Sequence, residues 1–251
     1  MRIICVNNYD EMSEKAANIV ASQIILKPDS VLGLATGSTP IGMYNHIVKA
    51  YESGKISFQN VTTFNLDEYL NLDKNNAQSY YFYMRKNLYD KVDISIENIN
   101  IPDGITDNIQ EECIRYEKEI RNKGGIDIQV LGIGRNGHIG FNEPDIKFEA
   151  LTHMVNLDDQ TIKDNSRFFD TVKEVPTKAI SMGIKTIMRA RKIVLLASGK
   201  EKANCIYEAI YGKITPNLPA SVLQLHPDVV FVLDKEAASK LDSEEIDKEY
   251  L

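Results

Sequence analysis

Short continuous apolar runs alternate along this chain with segments whose apolar positions recur at helical spacing. Six runs read as strands: Arg2–Val6, Val31–Ala35, Val61–Leu66, Asp127–Ile133, Lys192–Ala197 and Asp228–Leu233. Most are unbroken Val/Ile/Leu stretches, the pattern of strands covered on both faces in a largely parallel sheet. Between them, Ile109, Cys113, Tyr116 and Ile120 keep a 4-3-4 spacing that Gly124-Gly125 ends. Ala203, Ile206, Tyr207 and Ile210 keep the i, i+3, i+4, i+7 spacing of one buried helix face. Asn8 and Glu11 form an N-x-x-E helix start. Strands alternating with helices predict a doubly wound α/β fold, in which ligands gather at the carboxyl ends of the strands.

Composition narrows the class. The 251 residues are 43% apolar and 26% charged, without repeats, low-complexity segments or a Gly/Ser/Pro linker. One domain over residues 1–251 is the simpler reading, large enough to bury its own core without a metal or disulfide staple. The formal charge of −7 (29 basic, 36 acidic) disfavours nucleic acid and anionic membrane as partners. An anionic ligand therefore needs locally gathered donors. Cys5, Cys113 and Cys205 are odd in number and fit no metal spacing. They read as buried or half-buried thiols of a reducing compartment. With no apolar run of membrane-spanning length and no signal-peptide pattern, the expected location is the cytoplasm.

Three segments after strands carry candidate chemistry. In Ala35-Thr36-Gly37-Ser38-Thr39-Pro40, Thr39 suits an N-cap and Pro40 the first helical position. Such a loop offers backbone N–H groups and a helix dipole to an anion, and reads equally well as an ordinary strand-to-helix turn. Asp67-Glu68 closes an apolar strand. Neighbours on an extended chain face opposite ways, so one carboxylate can enter a cleft as a proton-abstracting base while the other stays outside or supports a turn. A solvated strand end is the ordinary alternative. The third segment holds Gly132, Gly134 and Gly137 in G-x-G-x-x-G register, followed by His138, Gly140, Glu143 and Pro144. Gly140 and Pro144 come too soon for the helix that a dinucleotide site requires. His138 remains as a proton carrier that Glu143 is able to orient. Arg167, flanked by Phe168 and Phe169, and Lys202, at the start of a helix, are cations suited to an anion partner; Lys200 reads as a solvated surface charge.

Together, T-G-S-T-P at 36–40, T-F-N-L-D-E-Y at 63–69, L-G-I-G-R-N-G-H-I-G-F-N-E-P at 131–144, N-S-R-F-F at 165–169 and L-Q-L-H-P at 223–227 resemble the glucosamine-6-phosphate deaminase family, collinearly and almost end to end. The resemblance implies a Rossmann-like three-layer α/β/α sandwich with a mostly parallel central sheet. It implies isomerisation and deamination of glucosamine 6-phosphate to fructose 6-phosphate and ammonia in amino-sugar catabolism, without metal or cofactor. Gly37, Ser38, Thr39, Arg167 and Lys202 would hold the phosphate. His138 would move a proton during ring opening, Asp67 would take the C2 proton, and Glu143 would orient His138.

Two departures matter. Some members of the family carry Asp where this chain has Asn136, which cannot add negative charge around His138. Allosterically activated members carry Arg and Lys after N-E-P, whereas Leu151–Asn156 here contains neither. The expectations are no activation by N-acetylglucosamine 6-phosphate and a monomeric enzyme, with a homo-oligomer as the alternative. 6-Phosphogluconolactonases share the fold but typically read D-E-R and G-H-x-A-S-L-F-P. A non-catalytic sugar-phosphate sensor would need an attached DNA-binding domain, for which a strand beginning at Arg2 leaves no room.

Overall fold

The structure, a computed structural model, describes residues 1–157, 162–163, 171 and 174–242. Its strands are β1 (Arg2–Val6), β2 (Val31–Leu34), β3 (Thr62–Asn65), β4 (Asp67–Tyr69), β5 (Ile99–Asn100), β6 (Ile128–Leu131), β7 (His153–Asn156), β8 (Lys178–Ser181), β9 (Lys192–Ala197) and β10 (Val229–Asp234). Its α-helices are α1 (Tyr9–Leu26), α2 (Ile41–Glu52), α3 (Tyr80–Asn87), α4 (Ile109–Asn122), α5 (Ile184–Met188) and α6 (Ala203–Tyr211). Among the described residues no helix is long and apolar enough to cross a membrane.

Local chemistry starts and stops these elements largely as read. The Asn8 side chain accepts the Glu11 N–H at the head of α1. In α4, Cys113, Tyr116 and Ile120 are buried, and Gly124 and Gly125 end it with φ near +85°. Two readings need correction. Helix α2 begins at Ile41, with Pro40 as its cap and no side-chain cap bond, so Thr39 is not the N-cap. Its carbonyl is held instead by the Tyr9 hydroxyl at 3.0 Å. In α6, Tyr207 is 40% exposed and meets Tyr211 edge-on at 5.2 Å. The small residues Cys205 and Ala209 fill the buried face beside Ile206 and Ile210.

The central sheet runs β1-β10-β9-β6-β2-β3-β5. All of its pairings are parallel, among the described residues. Helices flank it, as the sandwich requires. The predicted strand at 61–66 is shorter than expected. After Asn65 the chain leaves the sheet, and Asp67–Tyr69 joins a second, antiparallel sheet in the order β4-β8-β7. Main-sheet order grows outward from β2 through β3 to β5, then resumes on the other side of β2 with β6, β9 and β10. The reversal between β2 and β6 is a topological switch point, where loops part and leave a crevice.

The two strands at that switch are tightly matched. Gly33 pairs with Gln129, which is wholly buried. A Cβ at Gly33 would lie 2.1 Å from Gln129 Oε1. At the amino end of the same strands, Asp127 accepts the Val31 N–H (2.8 Å) and bonds Lys27 Nζ (2.9 Å) and an Arg191 guanidinium nitrogen (2.7 Å).

Candidate active site

At the carboxyl ends of β2, β3 and β6 lies a cleft of about 190 Å³ lined by residues 35–39, Asp67, Tyr80, residues 132–135, His138 and Lys202, among others. Most of the residues singled out from sequence converge here. Arg167 lies outside the described residues.

The second sheet delivers Asp67. β4 pairs with β8 so that Asp67 faces Ser181 and Glu68 faces Ile180. Both carboxylates are buried, Asp67 5% exposed and Glu68 3%. The solvated strand end is thus overturned, and so is the reading in which one acid stays outside. Alternation nevertheless divides their tasks. Glu68 turns to the head of α3, where Oε1 accepts the Tyr69 and Tyr80 N–H groups and Oε2 the Tyr81 N–H, all at 2.8–2.9 Å. A carboxylate at a helix N-terminus satisfies its otherwise unpaired donors. Burial raises the Glu68 pKa to about 7, against the pull of those three N–H groups. Asp67 faces the cleft. Burial, and then the Glu68 carboxylate, raise its pKa to about 8. A buried carboxyl poised near neutrality in a cleft has the character of an acid–base group.

The loop after β6 presents His138. It turns back on itself through Gly137 N–H to Gly134 O (3.0 Å) and Gly134 N–H to His138 O (2.9 Å), with Gly137 at φ +82°. No helix opens here, so the glycines serve the turn. Gly134 lies under the imidazole: a Cβ there would be 2.3 Å from the His138 ring. His138 Nδ1 lies 3.1 Å from Glu143 Oε2. A carboxylate opposite Nδ1 favours the proton there and leaves Nε2 to exchange protons with a ligand. Asn136 joins the group directly: its Nδ2 donates to Glu143 Oε2 at 2.7 Å, and its Oδ1 accepts the His138 N–H at 3.2 Å. The segment is pinned to β8 by Phe141 N–H to Ser181 Oγ (3.1 Å) and Asn142 Nδ2 to Met182 O (2.8 Å).

Donors line the opposite wall. The 36–39 loop turns through Gly37 at φ +94°. Lys202 enters from the loop after β9 and donates to Ile133 O at 2.7 Å. Its loop is held by Asp234, which accepts the Ser198 hydroxyl and the Gly199 N–H. Lys200 is exposed, as read.

Tyr80 escapes the sequence reading. Its ring stacks on Phe141 (6.0 Å, 16°) and tilts against Tyr69 (4.7 Å), forming an aromatic wall of the cleft. The available signal is Ser79, whose side chain caps α3 by accepting the Phe82 N–H and so places Tyr80 in the first turn.

Residues 7–231 match the family described as glucosamine-6-phosphate isomerases/6-phosphogluconolactonase. The chain belongs to this family. It is 63% identical over 242 residues to the glucosamine-6-phosphate deaminase of Clostridium botulinum (strain Kyoto / Type A2), covering 96% of this chain and 99% of that one. It is 59% identical over 241 residues to that of Clostridium novyi (strain NT), covering 96% of this chain and 100% of that one. A solved monomeric glucosamine-6-phosphate deaminase superposes with a TM-score of 0.93 at 46% identity, over 95% of this chain and 99% of that one. The 6-phosphogluconolactonase from Trypanosoma cruzi superposes at 0.76 and 22% identity over 96% of each chain, a likeness of fold alone.

Proposed function

We propose that this protein, acting as one domain and as a monomer, converts glucosamine 6-phosphate and water into fructose 6-phosphate and ammonia. One observation carries the reading: Asp67, His138 and the donors of residues 37–39 and Lys202 share one cleft at the switch point. The family assignment and the deaminase relatives at 59–63% identity favour this over a lactonase. The monomeric state has support from the monomeric structural neighbour, and the cytoplasmic location remains the reading from the thiols.

In the proposed sequence, the phosphate seats on the N–H groups of the Gly37-Ser38-Thr39 loop and on Lys202, with Arg167 as a further cation. His138, oriented by Glu143 and Asn136, passes a proton between O1 and O5 as the ring opens. Asp67 then removes the C2 proton, which the neighbouring C1 carbonyl acidifies, and returns it to C1 as the enolamine becomes an imine. Water adds to that imine and ammonia leaves. Asp67 must be ionised to act, so the pKa near 8 predicts turnover that rises with pH up to about 8.

The test is release of ammonia and fructose 6-phosphate by wild type and Asp67→Asn. Retained phosphate-ligand binding with lost turnover is the expected result; full activity in the variant removes Asp67 from the mechanism. Turnover of a 6-phosphogluconolactone without ammonia formation from the amino sugar would favour the lactonase reading. With no Arg or Lys in Leu151–Asn156, N-acetylglucosamine 6-phosphate is expected to leave the rate curve unchanged; a sigmoidal curve that it makes hyperbolic contradicts this.

A further inference from the structure

Three tyrosine hydroxyls grip the backbone of the loop after β2. Tyr44, on α2, donates to Ala35 O at 2.6 Å. Tyr83, on α3, donates to Gly37 O at 2.6 Å. Tyr9, at the start of α1, lies 3.2 Å from Ser38 O and 3.0 Å from Thr39 O, and accepts the Gly42 N–H at 2.9 Å. Four carbonyls within five residues are thus held by phenols from three different helices. None of these three rings lines the cleft that the same loop borders.

Peptide geometry gives this arrangement a consequence. Every described peptide is trans, so each carbonyl points opposite to the N–H of the next residue. Drawing Gly37 O toward Tyr83 turns the Ser38 N–H the other way. Drawing Ser38 O toward Tyr9 does the same to the Thr39 N–H. Thr39 O is followed by Pro40, which has no N–H to aim. Because the rings do not line the cleft that residues 35–39 border, carbonyls drawn to them are drawn out of it, and the following N–H groups turn toward it. An anion meeting that wall encounters N–H groups rather than carbonyl oxygens. Burial raises the Tyr44 and Tyr83 phenols well above their ordinary range, which keeps both as donors.

We propose that Tyr9 and Tyr83 are positioning residues for the sugar phosphate, holding the Gly37, Ser38 and Thr39 carbonyls behind the loop so that the Ser38 and Thr39 N–H groups face the phosphate. The proposal rests on reading the 37–39 loop as the phosphate site. Neither tyrosine touches the reacting carbons, so both act on binding and not on chemistry.

Tyr83→Phe and Tyr9→Phe keep the rings and remove only the hydroxyls. The measurements are KM and kcat for glucosamine 6-phosphate and competitive inhibition by inorganic phosphate, with Lys202→Ala in parallel. One net hydrogen bond of this kind corresponds to roughly a 2- to 10-fold change in an equilibrium constant. KM and the phosphate inhibition constant should rise together by about that factor in each variant, with kcat within about twofold of wild type. Phosphate inhibition equal to wild type in both tyrosine variants overturns the proposal, whatever their melting temperatures. If Lys202→Ala weakens phosphate in that same experiment, the phosphate site stands and only the role of the tyrosines falls. If phosphate does not compete with substrate in wild type, or Lys202→Ala binds it unchanged, the reading of the site itself fails and the proposal with it.

Discussion

Asp127 and Asp67 lie at opposite ends of the central sheet, 4% and 5% exposed, and the fold surrounds them in opposite ways. At the amino end, burial alone would raise the Asp127 pKa. The Val31 N–H, Lys27 and Arg191 outweigh it and hold the carboxyl below its ordinary range. At the carboxyl end, burial and Glu68 act in the same direction, and Asp67 rises to about 8. Low solvent exposure by itself therefore predicts neither charge nor role. A carboxylate whose charge is compensated ties strands together; one left uncompensated is held ready to exchange a proton.

The largest effect that tests this contrast is Asp67→Asn. Ammonia release should fall by about a hundred- to ten-thousand-fold, the range for loss of a positioned acid–base group. The same change should stabilise the protein. A carboxyl whose folded pKa is raised contributes stability that is full below its unfolded pKa, near 4, and lost as pH rises through about 8. The amide has no charge to bury, so its advantage should grow from about pH 4 to pH 8 and reach about 1–3 kcal/mol in melting experiments. A variant as labile as wild type at pH 8 would show that Asp67 is not strained by its setting.

Asp127→Asn should do the reverse: kcat within about twofold of wild type, with a stability loss of about 2–3 kcal/mol from the charged hydrogen bonds given up. Here the folded pKa is depressed, so the contribution is present above the unfolded value, near 4, and disappears as pH falls through the lower folded value. The stability gap between wild type and variant in denaturant melts should therefore be full at pH 7 and narrow at pH 3. Glu68→Gln removes the like charge beside Asp67 and should move the acid limb of the kcat profile down by about 0.5–1 pH unit. An unmoved limb would assign the raised pKa of Asp67 to burial alone. The smallest expected change is Asn136→Asp, which replaces a donor to Glu143 with a second carboxylate near His138. A displaced pH–rate profile is expected; a superimposable profile would uncouple position 136 from the histidine.

How much of this the sequence discloses depends on the length of the signal. β1 and β9 lie where their apolar runs place them: in β9 five consecutive residues are buried, and in β1 Ile4 is buried between half-buried neighbours. The antiparallel sheet was not legible. Asp67–Tyr69 is three residues long and carries two acids, and His153–Asn156 alternates half-buried with exposed positions. Nothing local reveals that α3 covers the first of these strands, and so nothing local reveals that Glu68 is buried. The site motifs were legible because each follows a strand of the central sheet. The Glu143–His138 contact was legible too, since five residues separate the pair. The part of Asn136 as donor to Glu143, the Tyr80 wall and the tyrosines behind the 36–39 loop were not, because they depend on how the loop after β6 folds back and on contacts between separate elements. Thr39 and Tyr207 show the limits of local rules. A good capping residue had its carbonyl engaged from another helix, and a good apolar spacing lost one position to an aromatic pair at the edge.

The Gly33–Gln129 contact at the switch point also constrains how the chain is free to change. With Gln129 in its present rotamer, a Cβ at position 33 would overlap the end of its side chain, so Gly33→Ala requires Gln129 to turn aside or to be shortened. The two positions are therefore coupled, and the effect of a substitution at one should depend on the residue at the other.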